Sequence, residues 1–172
     1  MLLRRLISST LMVAMLSGCK TCPRVLTQNL CLTASSDMNN NTATTIDLVL
    51  AKSAHLARAL SQITSSQYFS TIDQIRRDNP SVVSVFRWEL IPGQVQECQK
   101  IMTPDHKKLC GAFVFSDYQT KGAHRINISA IKSSTIALQK TTTQISSTQE
   151  PSITKLCYPE SPTKLLNTRI AQ

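Results

Sequence analysis

The stretch VVSVFRWELIPGQ, Val82 to Gln94, decides the fold class. Successive side chains of a strand point to opposite faces, so Phe86, Trp88 and Leu90 share one face and Val83 and Val85 the other. Ile91-Pro92-Gly93-Gln94 then carries a type II turn signature. Proline presets the second position of such a turn and glycine supplies the positive φ of the third.

Working outward, the same two-residue period returns on both sides. Toward the N-terminus, Leu30, Leu32 and Ala34 alternate within Val25 to Ala34, and Ile46, Leu48 and Leu50 mark a second strand. Between them SSDMNNNTATT, Ser35 to Thr45, reads as a loop, because Asp, Asn and Ser bond their own backbone and favour turns. Toward the C-terminus, Val95 to Ile101, Leu109 to Phe115, Ala123 to Ile131 and Thr135 to Leu138 read as further strands. The period changes after the second strand. Leu56, Leu60 and Ile63 fall at helical spacing within Ala54 to Ile63, and a short helix is expected from Thr71 to Arg77, ended by Asn79-Pro80. Short strands separated by turn signals point to a mainly β protein, a β-sandwich with a small helical insert.

The chain has 172 residues and a net charge of +9. It opens with two arginines, an uncharged apolar run from Leu6 to Leu16, and the small residues Ser17 and Gly18, which is the layout of a secretory signal over residues 1–18. Leu16-Ser17-Gly18-Cys19 resembles the bacterial lipobox. That resemblance implies that Cys19 becomes the first mature residue and carries a diacylglycerol on its thiol and an acyl chain, such as palmitate, on its amine. The run is too short to span a bilayer as a helix, and stable anchoring by lipid takes two or more chains. Residue 20 is Lys, not the Asp that retains such lipoproteins in the inner membrane, so the outer membrane, periplasmic face, is expected. The expected organisation is a tether over 19–24, a sandwich domain over 25–140, and an irregular Ser/Thr/Pro-rich tail over 141–172.

Six cysteines are present: Cys19, Cys22, Cys31, Cys98, Cys110 and Cys157. Lipidation of Cys19 leaves five, an odd number, for an oxidising compartment. Cys98 and Cys110 flank a Thr-Pro-Asp turn signal and are expected to pair across a hairpin. A metal site of Cys98, His106 and Cys110 is the sharper alternative, but it lacks a fourth ligand and the short paired spacings of zinc motifs. The partners of Cys22, Cys31 and Cys157 stay open.

Catalytic signals are few. The histidines, His55, His106 and His124, belong to no recognisable motif, and G-x-S-x-G, H-E-x-x-H and glycine-rich phosphate loops are missing from the sequence. The expectation is therefore no enzyme, no metal and no cofactor beyond the lipid on Cys19. The positive charges are scattered and aromatics make up only 5% of the chain, which argues against nucleic-acid binding.

The order of parts resembles the outer-membrane lipoproteins of type VI secretion systems, the TssJ family. The residues that carry the resemblance are Thr33-Ala34-Ser35-Ser36-Asp37-Met38-Asn39 after the first strand, Pro92-Gly93 after the middle strand, and Gly111-Ala112-Phe113-Val114-Phe115. The resemblance covers roughly Cys19 to Leu138 and implies a transthyretin-like β-sandwich. It implies a scaffold hung from the outer membrane that binds the periplasmic domain of a large inner-membrane secretion component. It places that contact on the loop Ser36 to Thr42, with Asp37, Met38, Asn39 and Asn40 as partner-binding residues and Met38 filling a partner pocket. AKSAHLARALSQI, the extra cysteines and the tail depart from the family pattern. Those departures admit a type IVB secretion core as the host machine. A different class of function is a periplasmic lipoprotein that inhibits a hydrolase or binds cell-wall ligands.

Overall fold

The computed structural model describes residues 22, 24–101 and 108–147, and the lipidation site at Cys19 and the thiol of Cys157 lie outside them. Eight strands form two four-stranded sheets. Strands β1 (Asn29–Ala34), β4 (Val95–Lys100), β7 (Ser133–Leu138) and β8 (Thr143–Ser147) make one sheet in the order β4-β1-β7-β8. Strands β2 (Thr44–Ala51), β3 (Val83–Leu90), β5 (Gly111–Ser116) and β6 (Arg125–Asn127) make the other in the order β3-β2-β5-β6. Pairing is antiparallel except between β1 and β7, which run parallel.

The alternation expected from sequence places the core. Leu30, Leu32, Ala34, Ile46, Leu48, Leu50 and Leu90 are buried between the sheets, with Phe86 and Trp88 packed against them. The opposite face of the second sheet is covered by helices α1 (Ala54–Leu60) and α2 (Ser65–Asp78). Leu56, Ala57, Leu60, Tyr68 and Ile72 bury against Val49, Ala51, Phe113 and Phe115 there. Gly111 lets α1 approach closely, since a Cβ on it would lie 3.0 Å from the Cβ of Ala57 and 2.6 Å from the Phe113 ring.

Helix α2 starts six residues before the expected Thr71, because a capping box forms at Thr64 with Gln67. The Thr64 hydroxyl accepts from the Gln67 N–H at 3.3 Å and the Gln67 Oε1 accepts from the Thr64 N–H at 2.8 Å. The added turns bring in Tyr68, whose hydroxyl donates to Asp47 Oδ2 at 2.8 Å and whose ring stacks on Phe115 at 4.1 Å. Asp47, fully buried in the middle of β2, also accepts from Arg87 Nε and Nη2 at 2.8 and 2.7 Å. One carboxylate thus ties β2, β3 and α2 together.

The cysteine hairpin does not form. β4 pairs with β1 in one sheet and β5 with β2 in the other, so the chain changes sheet between Cys98 and Cys110. The expected Cys98–Cys110 pair is therefore corrected to two long-range disulfides, Cys31–Cys98 and Cys22–Cys110. Cys31 meets Cys98 where the β1–β4 register shifts between Leu30 and Leu32. These pairings also take both thiolates from the metal alternative, whose third member, His106, lies outside the described residues. Strand β8 corrects the expected start of the irregular tail, for Ile145 packs against the core beyond Thr141.

Two tyrosines make the fold sensitive to alkali. Burial, reinforced by the Asp47 carboxylate, pushes the Tyr68 phenol far up, and burial also raises Tyr118. Both folded values lie above the unfolded value of about 10. Their contribution is thus fully present below about pH 10 and falls as the pH rises past it. Urea midpoints followed by Trp88 fluorescence are expected to hold steady and then drop above that pH, with a shallower drop in Tyr68→Phe. Parallel curves for the two proteins would show that Tyr68 is not responsible.

Candidate interaction site

The strands define two ends. At the upper end β1 leads into β2, β3 into β4, β5 into β6, and β7 into β8. The loop after β1 is built on an unusual backbone. Asn39, Asn40 and Asn41 all take left-handed φ, at 46°, 53° and 63°. L-residues pay roughly 1–2 kcal/mol each for this conformation, and asparagine visits it more readily than other non-glycine residues. The run NNN is what makes a single left-handed turn accessible here. It closes with the Thr42 N–H donating to the carbonyls of Met38 and Asn39 at 3.3 and 3.2 Å.

Neighbouring loops hold the turn. Asn39 N–H donates to Gln139 O at 3.2 Å and Asn40 N–H to Lys140 O at 3.3 Å. The buried Asn39 side chain accepts from Gln119 N–H at 2.9 Å and donates to Asp117 O at 3.5 Å. Tyr118 braces the β7–β8 connection, its hydroxyl donating to Gln139 O at 2.7 Å. The Pro-Gly turn joins from the other side. Gly93 has φ 79° and donates its N–H to Ser35 O at 3.0 Å, and Gln94 N–H closes the turn on Ile91 O at 3.1 Å. These are the features a type II turn requires.

The four loop residues expected to touch a partner separate into two pairs. Asp37 and Asn40 are exposed, and the Asp37 carboxylate accepts from the Ser35 hydroxyl at 2.7 Å. Met38 and Asn39 are buried. The left-handed turn folds Met38 back into the core between the sheets, so its expected role as an anchor in a partner pocket is corrected. Asn39 is a strut within the loop end. Two apolar residues take the place that Met38 leaves. Ile91 and Val95, either side of the Pro-Gly turn, are 62% and 71% exposed. Sequence reasoning passed over them, although branched apolar residues flanking a tight turn were a readable signal. The resulting surface has polar groups on Asp37, Asn40 and Asn41 beside apolar Ile91 and Val95, on a backbone already fixed.

Elsewhere, a groove of about 450 Å³ between α2 and β3 is lined by Asp73, Arg76, Arg77, Pro80, Val83 and Val85, a set without a serine, cysteine or histidine. His124 is held structurally, stacked on Tyr118 with ring centroids 4.7 Å apart and its Nε2 2.8 Å from Thr120 O. Among the described residues no cluster of three metal-ligating side chains occurs, and no helix is long and apolar enough to cross a membrane.

No protein-family model and no curated protein matches the sequence. Solved structures do. The fold is similar to Serratia marcescens Lip, a membrane-bound component of the type VI secretion system, with a TM-score of 0.53 at 13% identity, over 69% of this chain and 95% of that one. It is also similar to a chain of a type VI membrane complex, with a TM-score of 0.55 at 12% identity, over 70% of this chain and 98% of that one. The β-sandwich of the type VI secretion lipoproteins is thus the fold of this chain.

Proposed function

We propose that this protein is a lipid-anchored scaffold subunit of a type VI-like secretion complex. In this reading Cys19 carries the lipid at the periplasmic face of the outer membrane. The upper end of the sandwich holds the periplasmic domain of a large inner-membrane component. The observation that carries the reading is the preformed loop end, where the Pro-Gly turn between exposed Ile91 and Val95 bonds Ser35, at the start of the loop that holds the left-handed asparagine turn. Apolar anchors at the centre of a polar rim are the usual energetic core of an interface. A fixed backbone also lowers the ordering cost of binding. The likeness in fold to Lip and to the membrane-complex chain supports the same reading. Nothing about the groove beside α2 supports catalysis.

The test is a crosslinked pull-down from membranes with surface changes that spare the buried strut. Ile91→Glu with Val95→Glu is expected to reduce recovery of an inner-membrane partner at least tenfold, about 1.4 kcal/mol, and Asp37→Arg with Asn40→Arg to reduce it further. Secretion activity should fall in step. Undiminished recovery by both variants would move the interface off this end, and failure of the wild-type protein to recover any inner-membrane protein would overturn the scaffold role.

A further inference from the structure

We propose that the lower end of the sandwich docks on a bilayer surface carrying anionic phospholipid headgroups, so that the protein stands upright with its loop end facing away from the membrane. The proposal rests on the lipid-anchor reading of Cys19 and adds an orientation to it.

The first observation is covalent. Cys22 is bonded to Cys110, with their Cα atoms 4.8 Å apart. Cys110 directly precedes β5, and its N–H donates to the carbonyl of Ala51, the last residue of β2, at 2.7 Å. That is the lower end. Only two residues, Lys20 and Thr21, lie between Cys19 and Cys22, a distance of three steps along the chain, and an extended chain covers at most about 3.6 Å per step. The acyl chains therefore enter the bilayer within about 10 Å of Cys22. A tether this short cannot let the domain turn over.

The second observation is the charge at that end. Lys52 follows the end of β2, Lys100 ends β4 opposite Asn29, and Lys108 lies just before β5. Lys132 offers its carbonyl to the N–H groups of Gln28 and Asn29 at 2.7 and 3.1 Å. Arg24 lies on the same approach, two residues after Cys22. Lys52, Lys108 and Lys132 each have a partner within the protein, so what this end presents is its excess of positive over negative residues rather than free ammonium groups. Among the described residues placed there, Asp78 at the foot of α2 supplies the opposing charge. The upper end is balanced, with Asp37 and Asp117 against Lys121 and Lys140. Leu26, 42% exposed and fixed by its N–H to Ser129 O at 2.7 Å, adds an apolar side chain beside the tether. Basic side chains close to a lipid anchor are attracted by anionic headgroups within about a Debye length, and a nearby apolar side chain settles at the headgroup boundary.

The test uses the mature acylated protein in vesicles of phosphatidylcholine, with or without phosphatidylglycerol. Lysine acetylation is read residue by residue by mass spectrometry. On phosphatidylglycerol vesicles Lys52, Lys100, Lys108 and Lys132 are expected to label several-fold more slowly than on phosphatidylcholine, while Lys121 and Lys140 are unchanged. High salt should erase the difference. Arg24→Glu with Lys100→Glu should weaken the protection at Lys52 and Lys132. Equal labelling of both ends, or protection indifferent to phosphatidylglycerol, would overturn the docking. The intact mass of the same sample separates the two readings. A protein lacking the acyl mass loses its anchor, and the docking with it. An acylated protein labelled equally at both ends keeps the anchor and refutes only the orientation.

Discussion

Replacing Arg87 by methionine is expected to cost about 3 kcal/mol of folding free energy, the lower part of the range for breaking a buried ion pair. Asp47 is fully buried, and Arg87 meets it with two hydrogen bonds of 2.8 and 2.7 Å. Removing the guanidinium leaves a buried carboxylate whose remaining side-chain partner among the described residues is the Tyr68 hydroxyl. The lower figure applies because the Arg87 side chain is itself 46% exposed and water screens part of the attraction. The cost belongs to the stranded charge rather than to a lost attraction, and a second variant separates the two. Replacing both residues, Asp47→Leu with Arg87→Met, removes charge and partner together, which is often neutral or stabilising. Urea denaturation should place the double variant above Arg87→Met by a margin beyond experimental scatter. A double variant as weak as the sum of its singles would mean that the two side chains are not coupled, and would refute the stranded charge as the cause of the loss in Arg87→Met.

The second large effect concerns the disulfides. Cys31–Cys98 and Cys22–Cys110 close separations of 67 and 88 residues. Taken alone, loops of that size each restrict the unfolded chain by about 4 kcal/mol in the chain-entropy account. The smaller loop lies inside the larger, so the two contributions overlap and the second bond adds less than the first. Cys31→Ala with Cys98→Ala is expected to lower stability by about 2–4 kcal/mol. Full reduction should lower it by more than twice that loss, because the variant gives up only the increment that the inner bond adds to the outer one. Peptide mapping without reductant checks the pairing itself. A peptide joining Cys98 to Cys110 would refute it, and an unchanged denaturation midpoint in the variant would refute the energetic claim.

What could be read in advance follows from how local each signal is. The triplets Leu30-Leu32-Ala34, Ile46-Leu48-Leu50 and Phe86-Trp88-Leu90 report the inner faces directly, because a strand's period is independent of its neighbours. Pro92-Gly93 reports its turn for the same reason. β8 escaped notice because TQISS offers one large apolar residue, Ile145, and an edge strand needs no more. The disulfides were misassigned because Cys98 and Cys110 are near in sequence but lie in different sheets, a fact of topology and not of spacing. Asp47 was a readable clue: a lone carboxylate amid TTIDLVL has to find a partner if the strand is buried. Composition marked SSDMNNN as a surface loop. That its methionine turns inward depends on three consecutive left-handed residues, which side-chain patterns do not reveal.

The sheet order also sets a sequence of assembly. β1 is made first, yet it occupies an interior place between β4 and β7. Its pairing of Asn29 with Lys100 waits for about 70 further residues, and that of Asn29 with Ser133 for about 100. The second sheet closes earlier in part, because β2 and β3 pair across the compact helical insert. Contacts this distant along the chain carry a high contact order and form slowly. The apolar β1 therefore stays exposed until the last third of the chain has emerged, the interval in which a holding chaperone has the most to protect.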